Sequence, residues 1–255
     1  MINNTLSSYT ASDSAIDNNL HSLETKHRGI KELDSSLSLP IAITWRQTWL
    51  VFAAAVLLVS VPVFVEAPLV RSLPSLSLAM TGFWIWLSLT LMSRPQTYLW
   101  GDLLLGFSWS WLTGAIYWGW LRWEPLWHLP IESIGLPFAI WCLWRNWGKV
   151  GNWFYLGSLL GTVLTDIYFY LVDLMPYWRQ IMRTDINGAS QILKNALAQV
   201  QTPWGEAWAI ILALVLLTVG IISLGKKEKH WYAFSGAVLS TILVDSLFLL
   251  AAVIA

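Results

Sequence analysis

From Arg46 onward the chain falls into apolar blocks of about 17–24 residues, the length a helix needs to cross roughly 30 Å of hydrocarbon. The blocks lie at residues 47–70, 74–93, 99–121, 131–147, 152–174, 206–224 and 232–254. Nothing else in the sequence restricts the fold as strongly. Of all residues 56% are hydrophobic and 12% charged, with a mean hydropathy of +0.56. A soluble domain carries about 25% charged residues, and a chain with so few cannot cover its apolar surface. The expectation is an all-α polytopic transmembrane helix bundle of about seven spans. The block at 131–147 is the weakest, being short, with Glu132 near its start and Pro137 inside.

Residues 1–45 are expected to form a disordered cytoplasmic tail, and residues 46–255 the transmembrane domain. The run MINNTLSSYTASDSAIDNN is rich in Ser, Asn and Asp and has no apolar periodicity. It buries too little surface to offset its ordering entropy. Lys and Arg placement then sets the orientation. With seven spans, Lys26, Arg28, Lys31, Arg46, Arg94, Arg145, Lys149, Lys226, Lys227 and Lys229 share one side. Arg71, Arg122, Arg179, Arg183 and Lys194 share the other. That bias favours seven crossings, a cytoplasmic N-terminus and an outer C-terminus, and it nearly vanishes if the fourth block does not cross. Between the fifth and sixth blocks, Ile192, Leu193, Ala196, Leu197 and Val200 fall on one helical face. This is the pattern of an amphipathic helix lying in the outer interface.

Tryptophan is the second anomaly: of 19 in the chain, 13 lie between residues 84 and 153. Those at block ends, such as Trp45, Trp144 and Trp204, suit the headgroup boundary as an aromatic belt. Trp84, Trp86, Trp109 and Trp111 fall nearer mid-span, where an indole N–H needs a partner. Trp111 and Trp118, seven residues apart, share a face beside the small residues Gly106, Ser110 and Gly114. That ridge reads as a helix-packing surface, with a flat ring ligand such as a carotenoid, quinone or sugar as the alternative. Gly157 and Gly161 form a second ridge, a GxxxG for contact inside the bundle or between subunits.

Acidic residues inside the blocks carry the sharpest chemical signal. Asp166 and Asp173 lie seven residues apart on the fifth block, on a face continued by Ser158 and Thr162. Asp245 follows Thr241 by one turn on the seventh. Counting about 1.5 Å per residue puts Asp166 and Asp245 at nearly the same depth, so the two are expected to pair. Asp102 sits one turn inside the cytoplasmic end of the third block, and Glu66 marks the outer end of the first. No Lys or Arg lies at a block centre to neutralise them. Two readings stay open: Asp102, Asp166, Asp173 and Asp245 as steps of a proton path, or the same carboxyls as hydrogen-bonded locks between helices.

The outer segment WLRWEPLWHLPIES, residues 120–133, sets Arg122, Glu124, His128 and Glu132 among Trp123, Trp127 and two prolines. It reads either as a stiff interfacial loop with locally paired charges or as an outer docking surface. No catalytic machinery is visible. All four His lie in the tail or in expected loops, which leaves no bis-His haem site, and a single Cys gives no Cys-based zinc site. HExxH, GxxxxGK[ST] and GxGxxG are lacking from the sequence. With 15 Lys+Arg against 15 Asp+Glu there is no basic excess for nucleic acid.

Residues 106–141, GFSWSWLTGAIYWGWLRWEPLWHLPIESIGLPFAIW, resemble an uncharacterised polytopic membrane protein family of cyanobacteria. The resemblance covers the chain from about Trp45 onward. It implies a plasma- or thylakoid-membrane location and transfers no activity and no catalytic residue. Two function classes are expected. One is a non-enzymatic accessory or assembly factor, binding a larger membrane complex through its small-residue ridges and outer aromatic loop. The other is a small-solute or proton-coupled transporter using intramembrane aspartates. The expected partners are the lipid bilayer and other membrane proteins or a second copy of the chain.

Overall fold

A computed structural model describes residues 45–184 and 186–254, and they are helical with no strand among them. Contacts separate Met1–Gln47 from Thr48–Ala255, and the bundle is the second of these units. Of the expected tail at residues 1–45, all but Trp45 lies outside the described residues, and Trp45 begins a helix. The first helices are α1 (Trp45–Ser72), α2 (Pro74–Met92) and α3 (Tyr98–Ile116), the last continued by a π-turn over Tyr117–Leu121. Next come α4 (His128–Glu132) and α5 (Leu136–Trp144), merged through tight turns into one run, Pro125–Trp144. The remaining helices are α6 (Lys149–Leu171), α7 (Met175–Arg183), α8 (Ile186–Val200), α9 (Pro203–Leu224) and α10 (Lys229–Ile254).

Six of these runs are long and apolar enough to cross a membrane: α1, α2, Pro125–Trp144, α6, α9 and α10. Helix α3 is not among the six, although with its π-turn it reaches about 36 Å at 1.5 Å per residue. The reason is its position. It packs between α2 and α6, and Asp102, Phe107, Ser108, Trp111, Thr113 and Gly114 are all buried. A helix surrounded by protein needs less lipid-compatible surface, so Trp, Ser, Gly and Asp dilute its hydropathy.

The weak fourth block is the clearest change from expectation. It begins at Pro125, not residue 131, and so takes in His128 and Glu132. Its prolines read as loop signals in the sequence, yet Pro125 and Pro137 each stand in the first turn of a helical piece. There a missing N–H costs nothing.

Helix α6 is the hub, packing on α3, α4, α5, α9 and α10. Its N-terminus follows Gly148, whose φ of +59° is the left-handed conformation that glycine adopts without strain. The Asp102 carboxylate accepts the Val150 N–H at 2.9 Å and the Gly151 N–H at 3.0 Å. Thus a side chain of α3 caps α6, satisfying orphan donors and meeting the positive end of its dipole. The two backbones cross at Gly106 and Gly151, so closely that a Cβ on Gly106 would overlap the Gly151 carbonyl.

The second ridge serves the same end. Gly157 lies against the Phe234 carbonyl of α10, where a Cβ would stand 2.6 Å away, and Gly161 receives the Thr241 side chain. Both ridges are thus used inside the bundle. At its C-terminus α6 stops in a Schellman motif: the Leu174 N–H reaches the Phe169 carbonyl at 2.8 Å, with Asp173 left-handed at φ +56°.

Gly106→Ala is expected to destabilise the purified protein by about 1–3 kcal/mol through overpacking. Gly82→Ala, with nothing within 4 Å of its Cβ, is expected to be neutral or to stabilise by about 0.5–1 kcal/mol. Thermal unfolding of the two variants in detergent checks the contrast.

Candidate functional site

At the end of the bundle where α3 gives way to its π-turn, an imidazole and three carboxyls converge. His128 opens α4, and its Nδ1 lies 2.8 Å from Asp166 Oδ1 on α6, with both side chains little exposed. One turn along α4, Glu132 accepts a hydrogen bond from the Thr113 hydroxyl of α3 at 3.0 Å. Its backbone carbonyl accepts from the Tyr155 hydroxyl of α6 at 2.5 Å. Glu66 of α1 is buried with its carboxylate against Gly114, where a Cβ would sit 3.3 Å from Oε2. Glu132 lies within electrostatic range of Glu66, His128 and Asp166. No Lys or Arg forms an ion pair with any of the four among the described residues.

Aromatic rings close the site. The Tyr117 ring stands 4.5 Å from the His128 ring, and Trp118 and Trp178 stand 6.0 and 5.6 Å away. Trp178 belongs to α7, so this short amphipathic helix covers the imidazole. Two ties hold it there: the Trp178 indole donates to the Arg122 carbonyl at 2.9 Å, and Arg179 pairs with Glu124 at 2.7 Å. The Arg179 hydrogen bond holds the Glu124 carboxyl below the usual glutamate range. Such a carboxylate adds stability above its ordinary pKa of about 4.3 and loses it as pH falls through the lower folded value. The tie therefore persists at neutral pH and is released only in acid.

The aspartates singled out from the sequence separate into different places. Asp166 meets His128, while Asp245 accepts a hydrogen bond at 3.0 Å from Thr165, the residue before Asp166. Consecutive residues point about 100° apart on a helix, so the carboxyls at equal depth face different neighbours. Asp102 caps α6, and Asp173 ends it. Of the segment 120–133, Arg122, Glu124, His128 and Glu132 are tied into the bundle or to α7, while Trp123 and Trp127 stay 42% and 53% exposed. Between Ser110 and Gly114, Trp111 donates its N–H to the Ser77 carbonyl at 2.9 Å. It also packs edge-on with Trp84 and Phe107 at 5.7 and 5.8 Å, so protein fills the space that a ring ligand would need. Sequence reading misses the His128–Asp166 contact and the convergence of Glu66 with Glu132. The usable signal is the i, i+4 spacing of His128 and Glu132, which puts both on one helical face.

In chemical terms the cluster is a set of proton acceptors. Neutral imidazole offers one donor and one acceptor nitrogen, and its partner carboxyl is acceptor-only when ionised and gains one O–H donor when protonated. Among the described residues no three His, Cys, Asp or Glu side chains converge closely enough to hold a metal ion. Replacing Trp178 by Ala should uncover the imidazole, so that diethyl pyrocarbonate modifies His128 several-fold faster while His230, at the other end of the bundle, keeps its rate. Peptide mass spectrometry reads both sites in one sample, and an unchanged His128 rate would show that α7 is not its cover.

No curated protein and no solved structure matches this chain. One family model does, described as a protein of unknown function (DUF3120), over residues 55–253. That match runs from within α1 almost to the end of α10 and takes in every residue of the cluster, and the chain belongs to the DUF3120 family.

Proposed function

We propose that this integral membrane protein is a proton-coupled transporter of a small solute, with His128, Asp166, Glu132 and Glu66 as its proton-handling groups. The observation that carries the reading is the imidazole–carboxylate contact at 2.8 Å inside the bundle, with the half-buried Glu132 in electrostatic range of it and the buried Glu66 in range of Glu132. Ionisable groups within membrane helices are expensive to keep and commonly mark proton relays. Four of them on three different helices exceed what a single interhelical lock needs. Asp102, Asp173 and Asp245 act here as cap, helix stop and lock, so the proton path rests on Asp166 alone among the four aspartates.

The charge asymmetry of the connecting segments supports a cytoplasmic N-terminus and, with it, a cluster toward the outer side. The likeness to a cyanobacterial family supports a plasma or thylakoid membrane. A second reading, an accessory or assembly factor, is favoured by exposed Trp120, Trp123 and Trp127 at the same end of the bundle. Its other proposed contact, the small-residue ridges, is already filled by α6 and α10.

With candidate small solutes supplied on one side, reconstituted protein should dissipate an imposed pH gradient across vesicles, followed with an internal dye. His128→Gln and Asp166→Asn are expected to slow that dissipation roughly tenfold or more, in line with the loss of a proton-transfer group. Asp245→Asn keeps an acceptor for Thr165 and should leave the rate unchanged. Gradient loss unaffected by the first two variants removes the transport reading, and a loss of folded protein in both makes the contact a structural lock.

A further inference from the structure

Hydroxyl groups in helices have a ready local acceptor, the carbonyl one turn back. Ser108, Thr113, Ser223 and Ser246 all use it, at 2.7–3.1 Å. Along the seam of α1, α2 and α3 the pattern breaks. The Thr81 and Ser110 hydroxyls, Trp84 Nε1 and Tyr117 OH are buried and make no hydrogen bond within the protein, while the buried Ser77 hydroxyl faces the Glu66 carboxylate. Ser77, Thr81 and Trp84 follow at i, i+4 and i+7 on one face of α2. Ser110 and Tyr117, seven apart, flank Gly114 on α3. Glu66 joins the two rows, since it rests on Gly114 and lies beside Ser77. Glu66, Ser77, Thr81 and Tyr117 are each more than nine-tenths buried.

In a hydrocarbon setting each such group costs free energy unless something satisfies it. Four of them, with the Ser77–Glu66 contact among them, form a graded row of donors and acceptors spaced by helical turns from the π-turn down to mid-helix. The geometry points to a file of bound water between α1, α2 and α3, ending at Glu66 and Tyr117 beside the cluster. This inference rests on the proton-coupled reading in one respect: the water file is the route by which protons reach Glu66, Glu132 and His128. Water is the ligand whose hydrogen-bonding chemistry matches such a row. Its molecules both donate and accept, as a row mixing hydroxyl, indole and carboxylate requires.

The test uses a matched pair of tyrosines. Tyr117 and Tyr155 are both essentially inaccessible, at 0% and 1% exposure, but only Tyr155 has a protein partner for its hydroxyl. Hydroxyl radicals generated by a brief X-ray pulse in full-length protein in lipid nanodiscs arise from bound water as well as bulk. Tyr117 is expected to be oxidised several-fold faster than Tyr155. Equal or slower oxidation of Tyr117 would mean a dry seam and overturn the inference. A double variant, Ser77→Ala with Thr81→Val, gives a second reading. It should lower the labelling of Tyr117 and slow proton flux several-fold while the protein stays folded. A higher melting temperature with unchanged labelling would mean that dry hydroxyls had been removed, and would also overturn it. Rapid Tyr117 labelling in a wild-type protein that carries no proton flux would sink the transport reading and leave the hydrated seam standing.

Discussion

Two backbone N–H groups at the start of α6 have no acceptor within their own helix, and the Asp102 carboxylate takes both. Inside a bilayer an unsatisfied backbone donor costs several kcal/mol, so this contact largely decides where α6 sits against α3. Gly106 and Gly151 then let the backbones close to a distance that no Cβ would allow. Because α6 also carries α4, α5, α9 and α10, its register is inherited by most of the bundle. Asp166 lies 16 residues beyond Val150, about 24 Å along the axis. A capping contact near one end therefore sets the azimuth at which a carboxylate meets His128 near the other.

The same residue type does four different jobs here, and each is set by its surroundings. Asp102 sits opposite a helix N-terminus and caps it. Asp173 stands where α6 must reverse, and its tolerance of the left-handed conformation suits a Schellman stop. Asp245 is held by a hydroxyl. Asp166 alone faces a group that itself exchanges protons, and Glu132 lies within electrostatic range of it. A buried polar network is costly when half-satisfied, so groups gathered this way on α1, α4 and α6 stand apart from the single contacts that lock helix pairs.

Much of the architecture is legible in the sequence, because block length and the small-residue ridges are one-dimensional signals. Gly106 lies against Gly151 of α6 and Gly157 against Phe234 of α10, and the amphipathic pattern ending at Val200 falls within α8. What escapes is angular. Depth counting puts Asp166 beside Asp245, yet rotation about α6 turns it to His128 and gives Asp245 to Thr165. His128 reads as a loop residue because Pro125 and Pro130 look like breakers, although a helix accepts proline in its first turn. Helix α3 shows the converse: its length marks it as a span, but only packing reveals why so polar a helix sits at the centre. Glu66 and Glu132 are far apart in the chain, and nothing short of the folded bundle puts them in range of each other.

The π-turn over Tyr117–Leu121 ties these observations together. In a regular helix Trp111 and Trp118, seven residues apart, would share one face. Here Trp111 turns to Ser77 and Trp84, while Trp118 stacks on Trp178 at 5.6 Å with an interplanar angle of 16°. A π-turn adds a residue to the helical turn and shifts the phase of every later side chain. The upper part of α3 is thereby aimed at α7 and the lower part at α2. Tyr117, at the junction, borders both the His128 cluster and the seam of unpartnered hydroxyls. The irregularity thus joins two environments that one regular helical face would not reach.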